Sequence, residues 1–142
     1  MILSTPASVR MVEVGPRDGL QNEAGMVPLA TKVELVNRLS KAGIKTIETG
    51  SFVSPKWIPQ MADSTQVFQQ IKRYPGVRYT ALTPNMQGLE RAIAAQVSEV
   101  AVFGAASETF SQKNINCSMR ESIARFTEVC AAARAVQIPI RG

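Results

Sequence analysis

Short runs rich in β-branched residues recur along the chain, each followed by a longer stretch whose apolar residues fall at helical spacing. Strands separated by helices join most simply as a parallel sheet with helical crossovers, so this alternation narrows the fold more than any other feature. MVEVG (11–15) reads as a first strand that stops at Gly15-Pro16, because proline has no N–H for the ladder. A loop runs from Pro16 to Met26. Leu29, Val33, Val36 and Leu39 predict a helix, with Pro28 in its first turn and Gly43 just past its end. KTIETG (45–50) is a second strand. Asp63 and Gln66 have capping-box spacing, and the helix they open is closed by Pro75-Gly76. VRYTALT (77–83) and SEVAVFG (98–104) are the third and fourth strands, separated by a short helix that Asn85 caps and that runs through Ala94. After a further loop, Ser118 and Glu121 form a second capping box. The helix they open presents Ile123, Phe126, Cys130 and Ala133 on one face and runs to about Val136, and IPIRG starts a fifth strand.

Two architectures share this order. A doubly wound sheet normally carries a glycine-rich phosphate loop after its first strand, and neither G-x-G-x-x-G nor G-x-x-x-x-G-K occurs here. Polar residues gather instead at successive strand ends: Arg17 and Asp18 after the first, Glu48 at the second, Thr83 and Asn85 after the third, Ser107 and Glu108 after the fourth. That is what the active face of a (β/α)8 TIM barrel requires, and the expected fold is α/β of that type. A whole barrel takes roughly 250 residues, whereas 142 residues supply about four β/α units and the start of the fifth strand. Residues 1–142 are therefore expected to be the amino-terminal half of one barrel domain, with open strand edges near Val12 and Ile140 that favour a homodimer or other self-association.

Composition removes several classes of function. The 45% hydrophobic and 19% charged content suits a water-exposed globular domain. No apolar run approaches the eighteen or so residues of a membrane span, and the start MILSTPASVRM lacks a secretory pattern, so a cytoplasmic protein without membrane partners is expected. The net charge of +5 comes from scattered Lys and Arg with no aromatic interleaving, which leaves nucleic acid a weak runner-up that is not expected as a partner, while the charge suits anionic small ligands equally well. Cys117 and Cys130 read as free thiols, the first in a polar loop and the second in the core. Histidine is absent. The commonest general base and metal ligand is thus missing.

Asp18, anionic and at a strand end, can ligate a hard divalent cation through oxygen. Arg17 beside it offers a permanent charge and a donor fork to an oxyanion, and the pair together suggests metal-assisted carbonyl chemistry. A surface ion pair in a turn is the plainer reading of the dipeptide alone. The wider sequence shifts that balance. VEVGPRDGLQNE, followed by IETGSFVSPKWIPQMAD, LTPN, VFGAASE and QKNINCS, resembles the 3-hydroxy-3-methylglutaryl-CoA lyase family over nearly the whole chain. The R-D-G core is shared with related metal-dependent synthases and aldolases, while the longer blocks point to the lyase.

That resemblance implies a TIM barrel that uses Mg²⁺ or Mn²⁺ to cleave 3-hydroxy-3-methylglutaryl-CoA to acetyl-CoA and acetoacetate, a step of leucine degradation. It implies Asp18 as a metal ligand, Arg17 as the cation that stabilises the enolate oxygen, and Glu48 as a proton relay or the group that orients Arg17. Gln21 and Ser51 are implied substrate contacts. Lys113 and Asn114 resemble the segment that meets the pantetheine arm of CoA, and Arg141 a basic residue that approaches CoA phosphate. Trp57, between Pro55 and Pro59, reads as a loop anchor. The family's two histidine ligands, its asparagine ligand and its acid/base cysteine loop have no counterpart here. The 142 residues alone are accordingly expected to be inactive, and the alternatives are a non-catalytic CoA-binding or self-associating half-barrel or a related R-D-G metal-dependent acyl-CoA synthase or aldolase.

Overall fold

The computed structural model describes residues 5–142. Four strands, β1 (Thr46–Ser51), β2 (Arg78–Leu82), β3 (Glu99–Ala101) and β4 (Ile140–Arg141), form one parallel sheet in the order β1-β2-β3-β4. Sequential neighbours without a reversal of strand order match a barrel wall rather than a doubly wound sheet. Helix α1 (Leu29–Lys41) precedes β1, and between the strands lie α2 (Ser64–Gln70), α3 (Met86–Ala94), α4 (Glu108–Ile115) and α5 (Met119–Ala135).

Local chemistry explains most boundaries. Gly43 adopts φ +94°, where a side chain would be strained, and its N–H and that of Ile44 turn back to the carbonyls of Ser40 and Leu39. Asn85 accepts from the Gly88 N–H at 2.8 Å and caps α3. At Ser118 the capping box is complete, with both reciprocal bonds to Glu121 formed. Gly50 lets α2 approach β1 closely, since a Cβ there would lie 2.7 Å from Ser64 Oγ.

Six expectations need correction. The first strand is reduced to one bridge, Glu13 to Ile47, because Val14 leaves the extended region (φ −109°, ψ 0°) to start a turn. Asp63 precedes α2 but does not cap it, because its carboxylate is taken by Lys32 Nζ at 2.7 Å. That helix ends at Gln70, where Ile71 turns extended and becomes buried, well short of Pro75-Gly76. The expected loop after β3 contains α4, capped by Ser107 Oγ. On α5 the inward residues are Ser122, Val129 and Ala133, while Ile123 is 67% exposed. The cysteines likewise exchange places, Cys117 being buried and Cys130 half-buried.

In-register partners of a parallel sheet share a face. Ile47, Tyr79, Ala81 and Val100 face the helices and join Val36, Phe68, Leu89, Val129 and others in one apolar core. Glu48, Thr80 and Glu99 face the other way, and Arg141, opposite Ala101, joins them. That second face would be the interior of a barrel.

Candidate active site

The segment GPRDG folds as a single π-helical turn, Gly15–Gly19. The Val14 carbonyl accepts from the N–H groups of Arg17 (3.1 Å), Asp18 (2.7 Å) and Gly19 (3.4 Å), and Pro16 is buried beneath. Such turns are rare and concentrate at functional sites. Asn22 Nδ2 donates to the Asp18 carbonyl at 2.7 Å, which holds the far side of the turn.

Arg17 is fixed from two sides. Its Nε donates to Glu48 Oε1 at 2.5 Å and its Nη1 to Asp18 Oδ1 at 3.0 Å. The Glu48 side chain is only 1% exposed, so its charge is expensive unless paired. A second cation meets that need, because Arg141 Nη2 donates to Glu48 Oε2. A bulge in β1, between Glu48 and Gly50, lies beside this carboxylate. Two strands further, on β3, Glu99 binds Arg10 at 2.8 and 2.9 Å and Arg78 at 3.5 Å, with Arg141 Nε 3.8 Å away. Among the described residues Arg141 Nε is buried without an acceptor. Two buried carboxylates thus organise four arginines on one face of the sheet.

Arg17 and Asp18 line a cleft of ≈ 570 Å³ together with Gln21, Asn114, Trp57 and Arg125. The turn after the first bridge supplies Arg17, Asp18 and Gln21, and α4 supplies Asn114. Glu48 stands behind Arg17 rather than on the cleft wall. Ser51 is fully buried, with its N–H bonded to Ser64 Oγ and its own Oγ unpartnered among the described residues. Lys113 is exposed on α4 and Arg141 is turned to Glu48, so neither lines the cleft. Trp57 is 70% exposed on the cleft rim and anchors nothing. Asn85 and Arg125 also reach the cleft. Asn85 belongs to the strand-end polar residues that the sequence pointed to, whereas Arg125, a half-buried cation on α5, has nothing local to mark it.

The Asp18 side chain is 55% exposed, and Arg17 occupies one of its oxygens. Among the described residues no three of His, Cys, Asp and Glu group as a metal site. These residues therefore fit a divalent cation through one hard oxygen ligand and do not complete its coordination. What the cleft does present is a guanidinium held rigidly by carboxylates, with Nη2 free of protein acceptors among the described residues. A fixed cation of this kind suits a developing oxyanion, since no reorganisation is needed as the charge appears.

Comparison with known proteins places these features in context. The family described as HMGL-like matches residues 8–141. The cytoplasmic 3-hydroxy-3-methylglutaryl-CoA lyase of Mus musculus is 59% identical over 137 residues, covering 96% of this chain and 40% of that protein. Other relatives at similar identity are named mitochondrial. The crystal structure of hydroxymethylglutaryl-CoA lyase from Pseudomonas aeruginosa superimposes with a TM-score of 0.91 at 58% identity, over 96% of this chain and 46% of that one. An HMG-CoA lyase from Acinetobacter baumannii, solved with coenzyme A and 3-methylmalate, gives 0.87 at 40% identity over 91% and 42%. The chain spans less than half the length of these relatives. No helix among the described residues is long and apolar enough to cross a membrane.

Proposed function

The chain belongs to the HMGL-like family, and from that premise we propose that residues 1–142 are the amino-terminal half of a TIM-barrel lyase that cleaves 3-hydroxy-3-methylglutaryl-CoA to acetyl-CoA and acetoacetate. The observation that carries this reading is Arg17, fixed by Glu48 and Asp18 at a cleft that also holds Gln21 and Asn114.

In such a cleavage the tertiary hydroxyl loses its proton, that carbon becomes the ketone of acetoacetate, and the electron pair of the broken carbon–carbon bond passes to the acetyl-CoA fragment as an enolate. Arg17 is proposed to meet the enolate oxygen with Nη2, and Glu48 to hold Arg17 in that position. Gln21 and Asn114 are proposed substrate contacts from the cleft wall. Lys113, Ser51 and Arg141 are proposed to act around it, Lys113 toward the CoA arm and Arg141 through Glu48. A divalent cation, Mg²⁺ or Mn²⁺, would acidify the hydroxyl when bound. Asp18 is its proposed ligand, and the rest of the coordination would come from outside these residues. The proposal extends to a homo-oligomer and to a cytoplasmic location, the latter supported by relatives with that designation.

Acetoacetate release tests the reading, assayed for the 142-residue chain and for the chain continued to a full barrel, each with and without Mg²⁺. Metal-dependent release by the full barrel is expected, with silence from the short chain. Arg17→Gln should lower kcat by about 10²–10³-fold, the scale of losing one oxyanion donor, with little change in KM. Unchanged kcat would remove Arg17 from the chemistry. Asp18 already shares one of its oxygens with Arg17, which favours the second reading, a non-catalytic CoA-binding half-barrel. A full barrel that binds CoA but releases no acetoacetate would select it.

A further inference from the structure

Lys32 projects from α1 into the protein, yet it belongs to none of the residues placed at the cleft. It is 3% exposed. Burying an ammonium is costly unless its donors are matched, and here all its partners lie on one segment: both carboxylate oxygens of Asp63, at 2.7 and 3.0 Å, and the carbonyl of Gln60. Gln60, itself 6% exposed, carries the connection further. Its Oε1 accepts from the Val27 N–H at 3.0 Å and its Nε2 donates to the Gly25 carbonyl at 2.8 Å.

Three side chains thus join two segments that no common strand or helix connects, the second of which holds Gln60 in a short 3-10 turn, Pro59–Met61. Residues 21–28 leave the turn that carries Arg17, Asp18 and Gln21; residues 52–63 carry Val53, Ser54, Trp57 and Ile58 to the cleft. Neither segment has ladder hydrogen bonds to hold it beside the other. A side-chain amide bonded to backbone on both of its atoms substitutes for a ladder, and the lysine holds the Gln60 backbone from which that amide extends.

We propose that Lys32, Gln60 and Asp63 are positioning residues that set the separation of the two cleft walls, and with it the affinity of the cleft for an acyl-CoA. The proposal rests on the reading of the cleft as a CoA-ester site. The wall-to-wall connection itself does not.

Two substitutions separate the parts. Gln60→Met cuts the clamp on Gly25 and Val27 and leaves the ion pair, while Lys32→Met removes the pin and leaves Asp63, 27% exposed, to water. Amide hydrogen exchange of the ligand-free protein is measured first. Both variants should exchange about tenfold faster in segments 21–28 and 52–63, the scale of one lost buried hydrogen bond, with β1 to β3 unchanged. Unchanged loops, or equal acceleration everywhere, would overturn the proposal. Titration with coenzyme A follows, read by fluorescence of Trp57, the single tryptophan. About tenfold weaker binding in both variants is expected. Loosened loops with unaltered affinity would overturn the positioning role. If the unsubstituted chain does not respond to coenzyme A while the loops still loosen, the ligand assignment fails and the wall-to-wall connection stands.

Discussion

Ile47 and Glu48 are neighbours in β1 and almost equally buried, at 0% and 1% exposed, yet they serve opposite faces of the sheet. Ile47 meets apolar side chains of the helices, where contacts are interchangeable and fill space. Glu48 meets Arg17 and Arg141, where each contact is directional and fixes a charge. Burial on the first face stabilises the fold, while burial on the second costs desolvation that its ion pairs offset. A chain that needed only to fold would have little use for the second face. Its worth lies in the guanidinium that it holds still at the cleft.

The sharpest way to break this division is to strike each face and measure both stability and turnover. Phe68 lies in the outer core at 2% exposed, with its ring centroid 5.8 Å from that of Phe52. Phe68→Ala should cost about 3–5 kcal/mol in denaturant unfolding, while the folded fraction keeps its turnover in the full barrel. Glu48→Gln should do the reverse. Its shape is retained and its arginine partners are partly solvated, so the stability loss should be about 1–3 kcal/mol. The amide keeps one acceptor but loses the charge that anchors Arg17, so the variant should lose about a hundredfold in kcat through misplacement of the guanidinium. If Phe68→Ala lowered turnover of folded protein as much as Glu48→Gln, the two faces would not be separable.

The two faces were also unequally legible in sequence. Features closed within a few residues read directly: Gly43 at a helix end, Asn85 as a cap, the Ser118–Glu121 box. The parallel sheet read directly as well, because strand and helix periods are local. What failed was decided at long range. Asp63 has the chemistry of a cap, but Lys32, 31 positions away, claims it. The family resemblance implied that Glu48 relays a proton or orients Arg17, whereas its pairing with Arg141 spans 93 positions and had no mark in sequence. On α5 Ile123 and Ala133 were expected inside together; Ala133 is there, but with Ser122 and Val129, and Ile123 faces water. Helix α4 lacks a capping box, since position 110 is phenylalanine, so only Ser107 marked its start.

The smallest expected effect refines the outer face, where one helix has a titratable support. Glu121 is fully exposed, yet its carboxyl is held below its ordinary 4.5, first by the hydrogen bond it accepts from the Ser118 N–H at 2.8 Å and then by that from Ser118 Oγ. A carboxylate favoured in the folded state adds stability in full above its unfolded value, and loses it as pH falls through the lowered folded value. Glu121→Gln keeps an acceptor for the Ser118 N–H but has no charge to lose. The wild-type protein should therefore be slightly the more stable at neutral pH, and the difference should shrink as pH falls below about 4.5. Thermal unfolding of both proteins from pH 7 to pH 3 measures this. A difference that grew on acidification would mean that the carboxylate is not what supports the start of α5, and the helix layer would owe nothing to charge.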